Sequence, residues 1–295
     1  MNDLLPASHE FMTVRELADL LRIKERKVYD LAASGEVPCS RATGKLLFPT
    51  AEIRAWINGA KSGGVGPLVD RPAIFLGSHD PLLEWAIRQS RCGLATFNDG
   101  SLDGLKRFQS GEGIAAGLHL YDASEDRWNV PAASQAAKDT NAVLVKFASR
   151  NRGLVYRPDD QNPKQIADIA GRRMTPRQHE SGTWNLFVEL ALSNGLDTGS
   201  IDYAPVARTE DDAVQMVQQG EADVTFGLQS IADMYGLGFL PVVEEQFDIL
   251  IDRKAWFDAP MQKLLQFFGT DEFTHRADSF SGYDTTGIGT VVWNA

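Results

Sequence analysis

The sequence predicts an α/β protein in two unequal parts: a small helical module, then a larger domain of parallel sheet covered by helices. Three observations carry this. Residues 1–60 hold short segments with the apolar spacing of helices. A glycine-rich stretch then breaks all periodicity, and from residue 73 short apolar runs alternate with helix-length amphipathic segments. With 295 residues, 43% of them apolar, the chain is long enough for one small and one large domain.

In residues 13–21, TVRELADLL, the residues Val14, Leu17, Ala18 and Leu21 lie on one helix face, with Thr13 and Glu16 placed as a capping box. A second helix fits Glu25 to Ser34, with Val28, Leu31 and Ala32 on its apolar side and Gly35 as a left-handed exit. A polar hairpin through Ala42-Thr43-Gly44-Lys45, closing on Leu46-Leu47-Phe48, reads as a small two-stranded wing. Thr50 starts a third helix carrying Ile53, Trp56 and Ile57. The expected first domain is residues 1–60, followed by a linker over 61–72.

Beyond it, strands are expected at Ala73–Leu76, Leu94–Phe97, Ile114–Leu120, Ala142–Phe147, Gly153–Tyr156 and Ala222–Phe226. Helices are expected at Leu82–Gln89, Leu102–Phe108, near Pro163–Ala170, at Thr183–Ser193 and at Ala213–Gln219. Three of the strand-to-helix corners, Gly77-Ser78-His79-Asp80, Asn98-Asp99-Gly100-Ser101 and Glu180-Ser181-Gly182-Thr183, place hydroxyls at helix starts, where ligands sit in open parallel sheets. Each such serine has an ordinary alternative role as a helix cap.

Net charge is -11, which argues against a general nucleic-acid binder, but it is unevenly spread. Residues 1–61 hold nine Lys and Arg against eight Asp and Glu, leaving 20 against 32 for the rest. The two cysteines, Cys39 and Cys92, have no metal-ligand spacing and form no disulfide framework, so no metal and no cofactor is expected. The start MNDLLPASHEFM has no export-signal pattern and no apolar run is long enough to span a bilayer, so a cytoplasmic protein without a membrane partner is expected.

The stretch TVRELADLLRIKERKVYDLAASGEVPCSRATGKLLF, closed by AEIRAWI, resembles the excisionase-like and MerR-like winged helix-turn-helix domains. That resemblance implies binding of double-stranded operator DNA. The second helix would be the recognition helix, offering Lys24, Arg26, Lys27 and Tyr29 to the major groove, with Arg41 and Lys45 on the wing suited to phosphates or the minor groove. One such module makes few contacts, so a homodimer or higher homo-oligomer is expected.

The segments GSHDPLLEW, GSLDGL, AAGLHLYD, RQHESGTWN, GEADVTFGLQSIA and SGYDTTGIG, in this order, resemble the periplasmic-binding-protein-like (type II) substrate domain, related to molybdate and tungstate receptors, that is found fused to DNA-binding domains. The resemblance implies two lobes over residues 73–295, with lobe two at about 151–243 and crossings near Arg150–Leu154 and Val243–Leu250. It places ligand contacts at Ser78, His79, Asp80, Ser101, Leu102, His119, Arg177, Ser181, Gly182, Thr183, Thr209 and Glu210. His179 and Trp184 stand where the family pattern has further arginines, and Glu210 where it has histidine. A carboxylate and a tryptophan disfavour a bare oxyanion, so a small polar organic effector, zwitterionic or anionic, with a positive end meeting Glu210, Asp80 or Trp184, is the expected ligand. An oxyanion sensor, an enzyme using Asp80, His119 and Glu210, and a non-sensing architectural factor are the alternatives. No catalytic motif favours the enzyme.

Overall fold

The computed structural model describes residues 10–41, 44–59, 71–138, 140–158 and 162–295. The chain divides into two compact units, Met1–Val69 and Asp70–Ala295.

In the first unit, β1 (Phe11–Met12) leads into α1 (Val14–Leu21), whose capping box is formed: the Thr13 Oγ1 accepts from Glu16 N at 3.3 Å and Thr13 N donates to the Glu16 carboxylate at 2.7 Å. Next come α2 (Glu25–Ala33), β2 (Phe48–Pro49) and α3 (Thr50–Gly59). Leu17, Val28, Phe48 and Ile53 are fully buried and form the core. Among the described residues the expected two-stranded wing is one bridge, Ser40 to Leu47; Pro38 in its outer arm cannot donate to a ladder. The regular pairing is instead β1 with β2. Ala42 and Thr43, at the expected tip, lie outside the described residues, as do residue 60 and residues 61–70 of the expected linker. The last linker residues are held in the second unit: Arg71 pairs with Asp252 at 3.3 Å and donates to the Gly113 carbonyl at 3.1 Å.

The second unit begins with β3 (Ile74–Gly77), α4 (Pro81–Gln89), β4 (Ala95–Phe97), α5 (Ser101–Gln109) and β5 (Ala115–Leu118). A hairpin, β6 (Tyr121–Asp122) with β7 (Arg127–Trp128), and α6 (Val130–Ala137) follow. Then β8 (Ala142–Tyr156) runs out of lobe one into lobe two. The two strands expected at Ala142–Phe147 and Gly153–Tyr156 are therefore one. Its polar centre, Ser149-Arg150-Asn151-Arg152, reads as a loop in sequence and is extended because Ser149, Arg150 and Arg152 are buried among partners.

Lobe two holds a short 3-10 turn at Ile166–Ile169 in place of the expected helix over Pro163–Ala170, then β9 (Arg173–Thr175), α7 (Gly182–Ser193), β10 (Asp202–Tyr203), α8 (Glu210–Gln219), β11 (Val224–Leu228) and α9 (Gln229–Met234). Ala170 leaves helical geometry and Gly171 takes φ +74°, which ends the turn. The strand β12 (Gly238–Asp252) returns to lobe one, completed by α10 (Arg253–Trp256), α11 (Ala259–Phe268), α12 (Asp271–Asp278), β13 (Tyr283–Asp284) and β14 (Val291–Asn294).

One mixed sheet connects both lobes in the order β10-β9-β11-β8-β12-β5-β3-β4. The outer triplets are parallel, as the strand-helix rhythm predicts, whereas the long β8 and β12 pair antiparallel with each other and with their flanking strands. Lobe one packs helices on both faces around Phe75, Phe147 and Ile249 on one side and Phe108, Leu118 and Leu144 on the other. Lobe two packs Leu154, Phe187 and Phe226 beneath α7, and Val155, Val214 and Ile231 beneath α8 and α9.

At the crossing, a Cβ built on Gly153 would stand 1.9 Å from the Leu240 carbonyl oxygen. Replacing Gly153 by Ala therefore forces β8 and β12 apart. The expected cost is about 1–3 kcal/mol, read as a lower thermal midpoint, and an unchanged midpoint would show that the strands separate freely there.

Candidate functional site

The carboxyl ends of β3 and β5, the middle of the two crossing strands and the amino ends of α5, α7 and α8 meet between the lobes. Arg150 and Arg152 are two residues apart on β8, so strand alternation sends both to one face. From them runs an alternating chain of ions. Asp80, the N-cap of α4, accepts from Leu83 N, from the Tyr283 hydroxyl and from Arg150, each at 2.7 Å. Arg150 also binds Glu245 of β12; Glu245 binds Arg152 at 2.7 Å; Arg152 binds Glu210 at 3.0 Å; and Glu210 binds Arg177 at 3.0 Å. None of these six side chains is more than 9% exposed. The three arginines match the three carboxylates, so the chain is formally neutral.

Burial alone would raise the Glu210 carboxyl; Arg152 and Arg177 outweigh it and draw it down to about 2. Burial likewise works against ionised Glu245, and Arg150 and Arg152 hold it well below the usual carboxylate range. His119, at the end of β5, meets Glu245 through Nδ1 at 3.1 Å and stacks on Phe247. Burial lowers its imidazole from the ordinary value despite Glu245, so the ring is neutral at pH 7.

In front of this chain lies a cavity of about 200 Å³ lined by thirteen residues. Ser78, His79, Glu84, Asn98, Gly100 and His119 come from lobe one, and Arg177, Gln178, Ser181, Thr183, Arg208, Thr209 and Glu210 from lobe two. Sequence reasoning found eight of them: Ser78, His79, His119, Arg177, Ser181, Thr183, Thr209 and Glu210. It missed Glu84, Asn98, Gly100, Gln178 and Arg208. Asn98 and Gly100 lie within a corner motif already singled out, whereas Glu84 is drawn in by its 2.7 Å contact with His79.

The other expected ligand residues do not line the cavity. Asp80 is spent on Leu83, Arg150 and Tyr283. Ser101 is fully buried behind Ser78, its Oγ 2.7 Å from the Ser78 Oγ and 3.1 Å from the donating His119 N–H. Leu102 lines a separate groove of about 530 Å³ with Tyr121, Asp122 and Glu125. Gly182 lets α7 approach His119: a Cβ there would stand 2.6 Å from the His119 carbonyl oxygen. Trp184, one residue past Thr183 on α7 and so turned about 100° around the helix, packs on His179, Phe187 and Tyr203 instead of meeting a ligand. Of the three serines, only Ser181 caps its helix, accepting from Trp184 N at 3.1 Å. Asp80 caps α4 and Gly100 stands at the start of α5.

Beside the cleft, fully buried Asn129 (φ +56°) receives Leu120 N at 2.7 Å and donates to Gln246 O at 3.0 Å and to Asp248 at 2.7 Å. It fixes the chain just after His119 to β12. Burial pushes Asp248 up to about 6 despite that hydrogen bond.

In the first unit, Lys24, Arg26, Lys27 and Tyr29 are all exposed on the first turns of α2, while Val28 turns inward. Arg41 and Lys45 are exposed too, and Arg41 also donates to Ala32 O at 3.3 Å, tying the wing segment to α2.

A helix-turn-helix domain model matches residues 11–61, and a PBP superfamily domain model matches residues 84–269. The chain is 24% identical over 310 residues to the uncharacterized protein YvgK of Bacillus subtilis (strain 168), covering 95% of this chain and 97% of that one. Among solved structures, an ABC transporter substrate-binding protein with bound phosphate from Clostridium perfringens superposes with a TM-score of 0.52 at 14% identity, over 70% of this chain and 97% of that one. The tungstate ABC transporter from Geobacter sulfurreducens superposes with a TM-score of 0.49 at 13% identity, over 70% and 97% of the two chains.

Two outcomes are expected of the buried ions. Arg152→Met strands Glu210 and Glu245 without their shared partner and should cost about 3–5 kcal/mol in denaturant unfolding; a loss under 1 kcal/mol would mean the chain of ions is not coupled. For Asp248 the folded form holds its proton to a higher pH than the unfolded form, so its contribution to stability declines as pH rises from about 4 to 6. Asp248→Asn should therefore be stabilised relative to the parent at pH 8 and not at pH 4. Parallel stability curves for the two proteins would contradict the raised value.

Proposed function

The chain belongs to the PBP superfamily through its larger unit and carries a helix-turn-helix domain at its N-terminus; from that premise we propose that it is a transcription regulator that binds operator DNA in response to a small polar organic molecule. The observation that carries the ligand half is the state of the cleft's arginines. Arg177 donates to Ala207 O at 3.2 Å, to Arg208 O at 2.7 Å and to Glu210 at 3.0 Å, and Arg152 is taken by Glu210 and Glu245. Arg208, 77% exposed, faces Asp99 at 3.6 Å. A multiply charged oxyanion needs unspent cations, because an unpaired buried charge costs several kcal/mol. The cavity, at about 200 Å³, falls below the ~300–1,000 Å³ typical of drug-sized ligands and suits a small metabolite.

Binding rather than catalysis is the reading for this cleft. A general acid or base works best when it titrates near the operating pH. Glu210 is drawn down to about 2, His119 is held neutral against Glu245, and Asp80 has spent its carboxylate. No helix among the described residues is long and apolar enough to cross a membrane. A DNA reader works where the DNA is, so the proposal includes a cytoplasmic location. It also includes a homodimer, since one module on one half-site makes few contacts.

The DNA half rests on the exposed cluster at the start of α2. Arg26→Ala should weaken binding to DNA selected by the protein from a random library by roughly 10-fold or more at fixed salt, as loss of 1–3 kcal/mol implies. Its melting curve should stay unchanged because the side chain is exposed. Unaltered affinity in fluorescence anisotropy would sink this placement of the recognition helix.

A further inference from the structure

We infer that the molecule held in the cleft is a small zwitterion, its anionic end received by Ser78, Ser181 and the amino ends of α5 and α7, and its ammonium by His119, Thr183 and Gln178. This rests on the ligand-sensing function proposed above and narrows it to a class.

The direction of each proton decides what the cavity wall offers. Either hydroxyl of the Ser78–Ser101 pair has the geometry to donate; Ser101 is fully buried and, among the described residues, the acceptor within reach of its hydrogen is the Ser78 oxygen, 2.7 Å away, so we assign the hydrogen of that contact to Ser101. The Ser78 hydrogen is left for the cavity. Ser181 accepts from Trp184 N and likewise keeps its hydrogen. The start of α5 has Gly100 in place of a capping side chain. A helix start leaves N–H groups unpaired within the helix and carries about half a positive charge. These hydroxyls and helix starts give hydrogen bonds and favour negative charge.

The other side accepts. The Nδ1 of His119 faces a carboxylate and so carries the proton, which leaves Nε2 with a lone pair on a ring only 3% exposed. Thr183 spends its hydrogen on Glu210 Oε1 at 2.9 Å, leaving its lone pairs. Among the described residues the buried Oε1 of Gln178, a cavity-lining residue, has no partner. A buried acceptor without a donor is costly, and a primary ammonium brings three N–H groups.

Charge balance points the same way. The lining holds two arginines, Arg177 and Arg208, against two glutamates, Glu84 and Glu210. A net-neutral dipolar ligand keeps that balance. A bare oxyanion satisfies only the giving side and adds uncompensated charge, and a polyol leaves the helix starts without an anion.

The test is isothermal titration calorimetry on the full-length protein with free amino acids, amino sulfonates and amino phosphonates. The best binder is then compared with its N-acetylated and decarboxylated derivatives, and with molybdate, phosphate and inositol. Each truncated derivative should bind roughly 10- to 100-fold more weakly, the cost of 1–3 kcal/mol for groups left unpaired. Ser181→Ala and Thr183→Val, checked for folding by circular dichroism, should each weaken the zwitterion. If no zwitterion binds, or an N-acetylated form, an oxyanion or inositol binds best, the class is wrong. In that event the cleft still stands as the sensing site if the two variants weaken whichever molecule does bind. If binding is the same in both variants, the assignment of the cleft itself fails.

Discussion

Everything in the larger unit turns on two arginines spaced two residues apart on one strand. Arg150 and Arg152 sit where β8 leaves lobe one for lobe two, fully buried and surrounded by Asp80, Glu245 and Glu210. A guanidinium in that position is tolerable only with carboxylates at its edges, and a carboxylate there only with guanidinium. The ions therefore specify one another. Asp80 belongs to lobe one, Glu245 to the returning strand and Glu210 to lobe two, so satisfying the charges fixes the lobes to both crossing strands at once. Phe247 adds a ring face 4.4 Å from the Arg150 guanidinium and closes the apolar side of the cluster.

The same chain of ions forms the back wall of the cavity. Its last two members, Glu210 and Arg177, line the cavity, and its first member, Asp80, caps the helix whose preceding loop supplies Ser78 and His79. Glu210 is thus linked to Asp80 of lobe one through Arg152, Glu245 and Arg150. In the regulator proposed above, such an arrangement would convert occupancy into a preference for one lobe geometry, provided that the ligand contacts both lobes in only one of them. Close backbone approaches support this: Gly182 of lobe two lies against His119 of lobe one, and Gly100 of lobe one lies against the Glu180 carbonyl of lobe two.

The first unit obeys simpler rules. Its helices are short, and a fully buried cluster of Leu17, Val28, Phe48 and Ile53 holds them, which leaves the start of α2 to present charge. The acidic remainder of the chain is electrostatically unlike it. On the proposed function, the separation of charge along the sequence corresponds to a separation of tasks, since phosphate contact requires positive charge and the proposed zwitterion site requires balance.

Local signals were enough to read the three helices of the first unit, because they are specified by nearby residues: the Thr13–Glu16 capping box, the Gly35 exit and the apolar spacing of α1. The same holds for the strand-helix corners of the second unit, which carry the cavity residues Ser78, His79, Ser181 and Thr183, whereas His119, Arg177, Thr209 and Glu210 were implied by the family resemblance. What the sequence could not decide were contacts between residues far apart in it. Arg150 and Glu245 are 95 positions apart, and Asp80 and Tyr283 are 203 apart. Nothing local marks Ser149-Arg150-Asn151-Arg152 as the buried middle of a 15-residue strand, because polar residues read as a loop until their partners are known. Glu210 was legible as a cavity residue but not as a neutralised one. Its charge state is set by Arg152 and Arg177, 58 and 33 positions away, and only the tertiary fold brings both arginines to one carboxylate.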